Sequence, residues 1–397
     1  MELSPGLIID MVLGVALIVA LLVGISRGLI RIIGGMAGLA AGAIAAFFVL
    51  PWVSSWAGLL MWRIPLALGV AGILLSTGFM LGMMLGGIVR APLARTPLRG
   101  IDRLLGGAAN LVGTAAVILL VSFGAQSLAF PGITQTLASS QILRTIDEIT
   151  PRPVATFLAQ LRSTIVTDGV PRILDAVGIP QAPPEIPSTA PQTEGVVAAQ
   201  ASVVRITANT PACGTGSVGS GYVAAPDRII TNAHVVAGAT ELVVESPSAL
   251  PRPGTVVHFD PGNDLAVIAV TSLAAAPVPH SSTTAPGAVA VFLGYPHGGP
   301  FSAQPAEVLS TELTTVADIY GTNPTPRPVT TIAAHVQQGN SGGPLLNSEG
   351  AVIGVIFAKS EGTANLGYAI AAETVAPLAA RAGDLSTPVT PGACIPR

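Results

Sequence analysis

Charge is scarce in this 397-residue chain: Asp, Glu, Lys and Arg make up 10% of it, against about 25% in an ordinary soluble protein. So little charge beside so much apolar surface excludes a wholly soluble globular enzyme and equally a disordered chain, which is poor in apolar residues. With a net charge of −3 there is no basic surface of the kind nucleic acid requires, so no nucleic-acid partner is expected. Lysine is nearly missing, Lys359 being the only one among 18 basic residues; that reads as coding bias and carries no functional weight. Cysteine is limited to Cys213 and Cys394, which excludes a cysteine-built zinc cluster and leaves room for one disulfide.

What is abundant is apolar. Half the residues are hydrophobic, with 45 Gly and 34 Pro, and mean hydropathy is +0.67. The length calls for two or more units, and charge separates them. Residues 1–131 hold seven Arg and three acids, whereas 132–397 hold eleven basic and eighteen acidic residues. A basic, apolar third precedes a mildly acidic remainder.

Four apolar stretches, 7–25, 32–50, 65–89 and 104–125, each have the length of a bilayer-spanning helix. The first is not read as a cleavable signal peptide, because Met1-Glu2-Leu3-Ser4-Pro5 carries no positive charge and no small-residue cleavage site precedes Arg27. Arg27 and Arg31 follow the first stretch, and Arg90, Arg95, Arg99 and Arg103 follow the third, while the loop between the second and third has only Arg63. That bias places the 26–31 and 90–103 loops in the cytoplasm and both termini outside. Trp52, Trp56 and Trp62 all fall in the opposite loop, as an outer aromatic belt would have them. Glycine recurs every four residues as Gly34, Gly38, Gly42 and again as Gly78, Gly82, Gly86, a spacing that lets helices approach closely in lipid. Asp10 is the one acid within a span, near its outer end; a transport path would need more intramembrane polar groups.

Two short segments, Ser26-Arg27-Gly28-Leu29-Ile30-Arg31 and Ile101-Asp102-Arg103-Leu104-Leu105-Gly106, resemble the colicin V production (CvpA) type of four-helix membrane domain. The resemblance implies a membrane anchor and brings no catalytic residues.

Residues 132–179 read as short amphipathic helices. Ile142, Leu143, Ile146 and Ile149 recur at helical spacing, Pro153 suits a first helical turn, and Pro171 is expected to open a further helix ending near Gly178. Five prolines between Pro180 and Pro191 then make 180–195 an extended spacer between domains. From 196 to 397 short β-rich runs separated by Gly and Pro argue for an all-β barrel or sandwich.

Three pieces of that β-rich region carry chemistry. Gly219-Ser220-Gly221 leads through a strand to Thr231-Asn232-Ala233-His234-Val235-Val236; Asn263-Asp264-Leu265-Ala266-Val267 follows; Gly339-Asn340-Ser341-Gly342-Gly343-Pro344-Leu345 comes last. The order His, Asp, Ser is that of chymotrypsin-type enzymes. A serine hydroxyl is a poor nucleophile until a neighbouring base takes its proton, and a neutral imidazole can do so near neutral pH. An aspartate on the other ring nitrogen fixes the tautomer and stabilises the imidazolium as it forms. Glycines around the serine permit a tight turn in which the N–H groups of Gly339 and Ser341 converge as an oxyanion hole. Asp260 is the runner-up to Asp264 as the acid, but lacks the Leu-Ala-Val continuation.

These motifs resemble the trypsin-like superfamily, closest to the high-temperature-requirement (HtrA) proteases. That implies a chymotrypsin-like double β-barrel, the catalytic roles above for His234, Asp264 and Ser341, and a place at the base of the primary specificity pocket for His335. Two features depart from the pattern. No PDZ domain is expected after the protease part, and Asn340 stands where many digestive-type proteases have Asp, so activation by ion pairing with a freshly cut N-terminus is not expected. Taken over its whole length, the chain is similar to the MarP-type periplasmic serine proteases of mycobacteria and relatives. The resemblance implies a multi-pass protein of the cytoplasmic (inner) membrane with its protease domain on the outer, periplasmic side. It also implies a family role in tolerance of acid and oxidative stress.

In an oxidising outer compartment Cys213 and Cys394 would pair as a disulfide, with two free thiols as the alternative; a bolder reading makes the bond a redox switch that keeps the active site ordered. His258 and His280 are left without a catalytic role, and His297 reads as a loop residue. The expected activity is serine endopeptidase action on cell-envelope proteins, and on the protein's own 180–195 spacer, with the lipid bilayer as the other partner. No metal or organic cofactor is implied. Two rivals remain: a catalytically silent protease-fold sensor, and an accessory domain of a membrane transport or export protein.

Overall fold

A computed structural model describes residues 5–56, 60–93, 96–127, 133–165, 172–173, 183–213, 215–247, 249–282 and 285–395. The chain divides into two compact units, one essentially 7–119 and the other 120–397.

The first unit is helical: α1 (Pro5–Arg27), α2 (Leu29–Trp56), α3 (Leu60–Leu93) and α4 (Arg99–Ser127). Each apolar stretch of the sequence lies within one helix, and all four are long and apolar enough to cross a membrane. Their largest apolar side chains, among them Val12, Phe48, Met80 and Val112, face outward, the inverse of a soluble bundle and what a lipid surround accommodates. The two glycine series meet, as expected: a methyl on Gly34 would lie 3.0 Å from the Gly86 Cα, and one on Gly78 3.1 Å from the Gly42 Cα. At the end of the bundle holding the α1–α2 turn, Asp102 of α4 accepts from Arg90 Nε of α3 at 2.6 Å and from the Ile30 N–H at 3.2 Å. Both arginine-rich turns are thereby at one end. Asn110 Nδ2 donates to the Ala20 carbonyl at 2.6 Å, tying α4 to α1. The side chains of Trp52, Trp56 and Trp62 lie outside the described residues.

The second unit opens with α5 (Ile133–Ala138), α6 (Gln141–Ile149) and α7 (Arg152–Ile165). Ser140 caps α6, accepting the Leu143 N–H at 3.2 Å. Both longer helices are amphipathic: Leu143 and Ile146 of α6, and Ala155, Leu158 and Ala159 of α7, are buried. One expectation fails here. Residues 172–173, placed in a helix opened by Pro171, form a short strand β1 (Arg172–Ile173) instead, pairing in parallel with Lys359 and Ser360; backbone pairing to a sheet edge outweighs the weak local helix signal. The rest of that stretch lies outside the described residues. Residues 183–193 are extended, with Ala190 packed on the core, and lead into α8 (Glu194–Gln200). Thr193 caps that helix and also donates to the Ser348 carbonyl at 2.6 Å.

Two barrels follow. The first is closed from β2 (Val203–Thr210), β3 (Thr215–Ala225), β4 (Arg228–Thr231), β5 (Glu241–Glu245), β6 (Arg252–Asp260) and β7 (Leu265–Val270), in the order β2-β3-β4-β7-β6-β5. The short helix α9 (Ala233–Val236) follows β4. The second contains β8 (Val289–Gly294), β9 (Ser302–Val316), β10 (Thr325–Ala333), β11 (Pro344–Leu346), β12 (Val352–Ser360) and β13 (Leu366–Ala371). Its order is β12-β11-β8-β9-β10-β13, and β12 also pairs with β13. Each barrel is filled by β-branched and large apolar side chains, such as Ile206, Ile229 and Ile268 in the first and Phe292, Ile332 and Ile356 in the second. Each such buried side chain is worth roughly 1.5–3 kcal/mol over its exposed state. A third cluster, with Tyr222, Leu265, Leu293, Phe357 and Val375, lies along the seam between barrels. Val375 and Leu378 come from α10 (Ala372–Arg381). The fold is the chymotrypsin-like double β-barrel expected from the sequence.

Candidate active site

β4 ends at Thr231, and α9 carries His234 into the seam, nearly buried at 8% exposure. Asp264 precedes β7 in a left-handed conformation (φ 55°) and is 2% exposed. Such a φ is uncommon outside glycine. It is held here by the Asn232 amide, which donates to the Asp264 carbonyl at 2.9 Å. The Asp264 side chain meets His234 twice: Oδ2 lies 2.7 Å from Nδ1, and Oδ1 accepts the His234 N–H at 2.9 Å. Asp260 is otherwise engaged. Its carboxylate accepts the Gly262 and Asn263 N–H groups at 3.0 Å each and the Asn263 amide at 2.8 Å, forming the turn that delivers Asp264.

Ser341 comes from the second barrel, in the turn before β11. Gly342 adopts φ 83° there, and a Cβ would run into the Ser220 carbonyl and the Thr231 hydroxyl, so only glycine fits. Gly342 N–H donates to the Ile356 carbonyl at 2.8 Å and Ile356 N–H to the Gly343 carbonyl at 2.9 Å, fastening the turn to β12. Ser341 is 3% exposed, and its Oγ has no hydrogen-bond partner among the described residues; the His234–Asp264 link is made, and the Ser341–His234 bond is not. Hydrogen bonds of this kind are often long or misaligned until substrate is bound. Gly339, in a left-handed conformation (φ 87°), and Ser341 both have N–H groups that make no hydrogen bond to the described residues. They are available to a developing negative charge.

Two residues without a role in the sequence reading hold the turns of this site, Ser220 the one bearing Ser341 and Arg327 the one delivering Asp264. Ser220 donates to the Gly339 carbonyl at 2.6 Å, accepts the Tyr295 N–H at 2.9 Å, and its own N–H donates to the Ser341 carbonyl at 2.8 Å. The Gly219-Ser220-Gly221 segment was visible as a motif, but the side chain's task is a long-range contact. Arg327 of β10, 5% exposed, donates to the Gly262 carbonyl at 2.5 Å and stacks over the Phe357 ring at 5.3 Å. Burial pushes its guanidinium down, against the pull of Asp264 and Asp260. Nothing local marks this arginine.

The other histidines divide. His280 is linked to the Tyr222 hydroxyl at 3.0 Å, and burial lowers its pKa. His258 is lowered by burial and by Arg381, with Asp260 opposing. His297 lies in the turn Pro296–Gly298 at φ 56°, and its N–H donates to the Gln338 carbonyl at 2.6 Å, beside Gly339 of the Ser341 turn rather than in a remote loop. Burial, Lys359 and His335 lower its pKa. His335 is exposed, 3.2 Å from the Gln337 amide, just past the end of β10. Cys213 and Cys394 form a disulfide, Cα–Cα 5.5 Å. It packs on Gly238, two residues past α9, where a Cβ would lie 2.8 Å from Cys213 Sγ. Among the described residues no group of His, Cys, Asp and Glu is arranged to hold a metal ion.

Comparison with known proteins gives two family matches: a trypsin-like peptidase domain over residues 219–355 and a colicin V production protein over residues 9–151. Serine protease Rv3671c of Mycobacterium tuberculosis is 37% identical over 316 residues, spanning 78% of this chain and 79% of that protein. A probable periplasmic serine endoprotease, DegP-like, of Pseudomonas savastanoi pv. phaseolicola is 33% identical over 162 residues, 39% of this chain and 33% of that protein. Among solved structures, the Rv3671c protease from M. tuberculosis in its active form superposes with a TM-score of 0.50 at 38% identity. It covers 56% of this chain and 100% of the solved one.

Proposed function

The chain belongs to the family of serine proteases that join a colicin V production-type membrane domain to a trypsin-like peptidase domain, and from that premise we propose that His234, Asp264 and Ser341 are its catalytic triad. Peptides are its substrates by the nature of the enzyme. His234 takes the Ser341 hydroxyl proton as Oγ attacks the peptide carbonyl carbon; the oxyanion is held by the N–H groups of Gly339 and Ser341; the C–N bond breaks and the amine leaves with that proton. Water then repeats the sequence on the acyl-enzyme. Asp264 holds the imidazole in the tautomer that leaves Nε2 free to accept. The observation that carries this reading is the pair of hydrogen bonds between Asp264 and His234, at 2.7 and 2.9 Å, beside a buried serine whose turn offers two N–H groups with no partner among the described residues.

The finer reading places the protease unit on the outer face of the cytoplasmic membrane, acting on cell-envelope proteins and serving tolerance of acid and oxidative stress, as family likeness suggests. The domain limits proposed are 1–131 for the membrane part, 132–179 for the helices, 180–195 for the spacer and 196–397 for the protease. The spacer is also proposed as a site of self-cleavage; purified protein whose N-terminus always begins upstream of Pro180 removes that part. His335 is proposed to set side-chain preference.

The test is labelling of the full chain by a fluorophosphonate probe, beside Ser341→Ala and His234→Ala. Labelling of the wild type, lost in both variants, establishes an activated serine. An unlabelled wild type under oxidising conditions brings forward the silent sensor.

A further inference from the structure

The N–H of Gly339 is useful to an oxyanion only if its peptide plane faces the right way. A trans peptide directs its C=O and N–H to opposite sides, so whatever holds the Gln338 carbonyl also aims the Gly339 N–H. That partner is the His297 N–H, at 2.6 Å. The contact is close along its length: a Cβ on Gly339 would run into the Tyr295 carbonyl and lie 2.8 Å from the His297 nitrogen and 3.0 Å from that of Gly298. The 295–299 loop is thus the back wall of the Gly339 peptide.

The loop is itself held from two sides. Arg205 of β2, bonded to both carboxylate oxygens of Glu245 at 2.8 and 2.9 Å, donates its remaining nitrogen to the Gly298 carbonyl at 2.9 Å. On the other side stands α7. Ala159, on its buried face with Ala155 and Leu158, meets the loop: a Cβ on Gly299 would come within 2.7 Å of the Ala159 Cβ. A helix, a loop and the turn bearing Gly339 are therefore stacked in three layers, with small residues at the helix–loop contact and no room to shift without consequence.

We infer that α7, the helix between the membrane spans and the protease barrels in the chain, is a positioning element of the oxyanion hole: through Ala159 against Gly299 it keeps the 295–299 loop on the Gln338 carbonyl and the Gly339 N–H turned toward Ser341. The inference rests on the assignment of Ser341 and Gly339 above. It makes the amphipathic segment 152–165 part of the machinery of the active site rather than a spacer, and gives a displacement of that helix a direct effect on turnover.

The experiment uses the full chain in detergent, with a chromogenic peptide ester and a fluorophosphonate probe, and compares the wild type with Ala159→Leu, Gly299→Ala and the double variant Ala159→Gly/Gly299→Ala. Crowding the contact from either side is expected to lower kcat and the labelling rate at least about tenfold, given that one lost oxyanion donor costs about 10²–10³-fold. KM should stay within about twofold, because substrate binding away from the oxyanion is untouched. The double variant, which returns the space, should recover most of the loss. Turnover at the wild-type rate in both single variants overturns the inference, as does a Gly299→Ala defect that Ala159→Gly leaves unrepaired. Should Ala159→Leu fail to fold, the Gly299→Ala pair decides alone. An unlabelled wild type removes the assignment of Ser341 itself, and this inference with it; a labelled wild type with indifferent variants removes only the role of α7.

Discussion

Asp264 holds His234 at two points, its Oδ2 at 2.7 Å from the ring Nδ1 and its Oδ1 at 2.9 Å from the backbone N–H. The second bond fixes the helix start and the first fixes the ring, so orientation does not depend on the side chain's own rotamer preference.

Replacing Asp264 by Asn keeps the shape and loses the acceptor that selects the tautomer. The expected fall in kcat is roughly 10³–10⁴-fold, as when a triad acid is amidated elsewhere. Steady-state kinetics check it, with an unchanged far-ultraviolet spectrum as the sign that the barrels persist.

Cys213 and Cys394 are 181 residues apart in sequence. Closing so long a loop restricts the unfolded chain by up to about 5 kcal/mol on the loop-entropy account. The double variant Cys213→Ser/Cys394→Ser should unfold at lower urea concentration, and reductant should bring the wild type to the same midpoint. Because the bond packs on Gly238, just past the helix of His234, labelling by the fluorophosphonate probe should fall with it.

Stability should decline on the acid side of neutrality. His258, His280 and His297 are all held below the ordinary imidazole value, chiefly by burial. The unfolded chain therefore binds more protons, and the advantage of the fold is lost as pH falls below about 6.5. Asp147 of α6 acts in the opposite sense: burial raises it, so its contribution is present at low pH and lost as pH rises. Melting temperatures between pH 7.5 and 5.5 should drop, and His280→Gln, which keeps a partner for Tyr222, should flatten the slope.

In the membrane unit Gly38 faces Gly78 and Gly82 so closely that a Cβ would run into the Gly78 carbonyl. Gly38→Leu should separate α2 from α3, since lipid gives no hydrophobic drive to restore the contact. A lower melting temperature of the full protein in detergent, with no such change for Leu at the outward-facing Met36, is the expected result.

His335→Asp should leave probe labelling intact and shift kcat/KM toward substrates with a basic side chain before the scissile bond. Equal preference in both proteins removes this histidine from specificity.

Much of this was legible in the residues because the signals are local. Apolar runs of spanning length became α1 to α4, and the motifs put His234 just after a strand, Asp264 just before one and Ser341 in a glycine-rich turn, where the structure has them; the short helix α9 around His234 is not among the expected elements. The Gly34 and Gly78 series, whose spacing permits close helix approach, meet each other in the structure. What the sequence concealed is long-range. Ser220, Arg327 and the His297 N–H act on residues 65 or more positions away, or 41 in the last case, and no periodicity encodes such distances. The helix forecast after Pro171 failed for the same reason: pairing with Lys359 and Ser360 is set by a strand nearly two hundred residues later.

His234 and Asp264 stand on the first barrel, Ser341 on the second. On the proposed triad, the ribosome finishes the half with the base and acid before it makes the half with the nucleophile, and neither half alone would cut a peptide. With that assignment, a chain still emerging from its synthesis would lack a complete triad, and the capacity to cut would arrive only when the two barrels close on their common seam. Timing of this kind follows from the order in which the parts are translated.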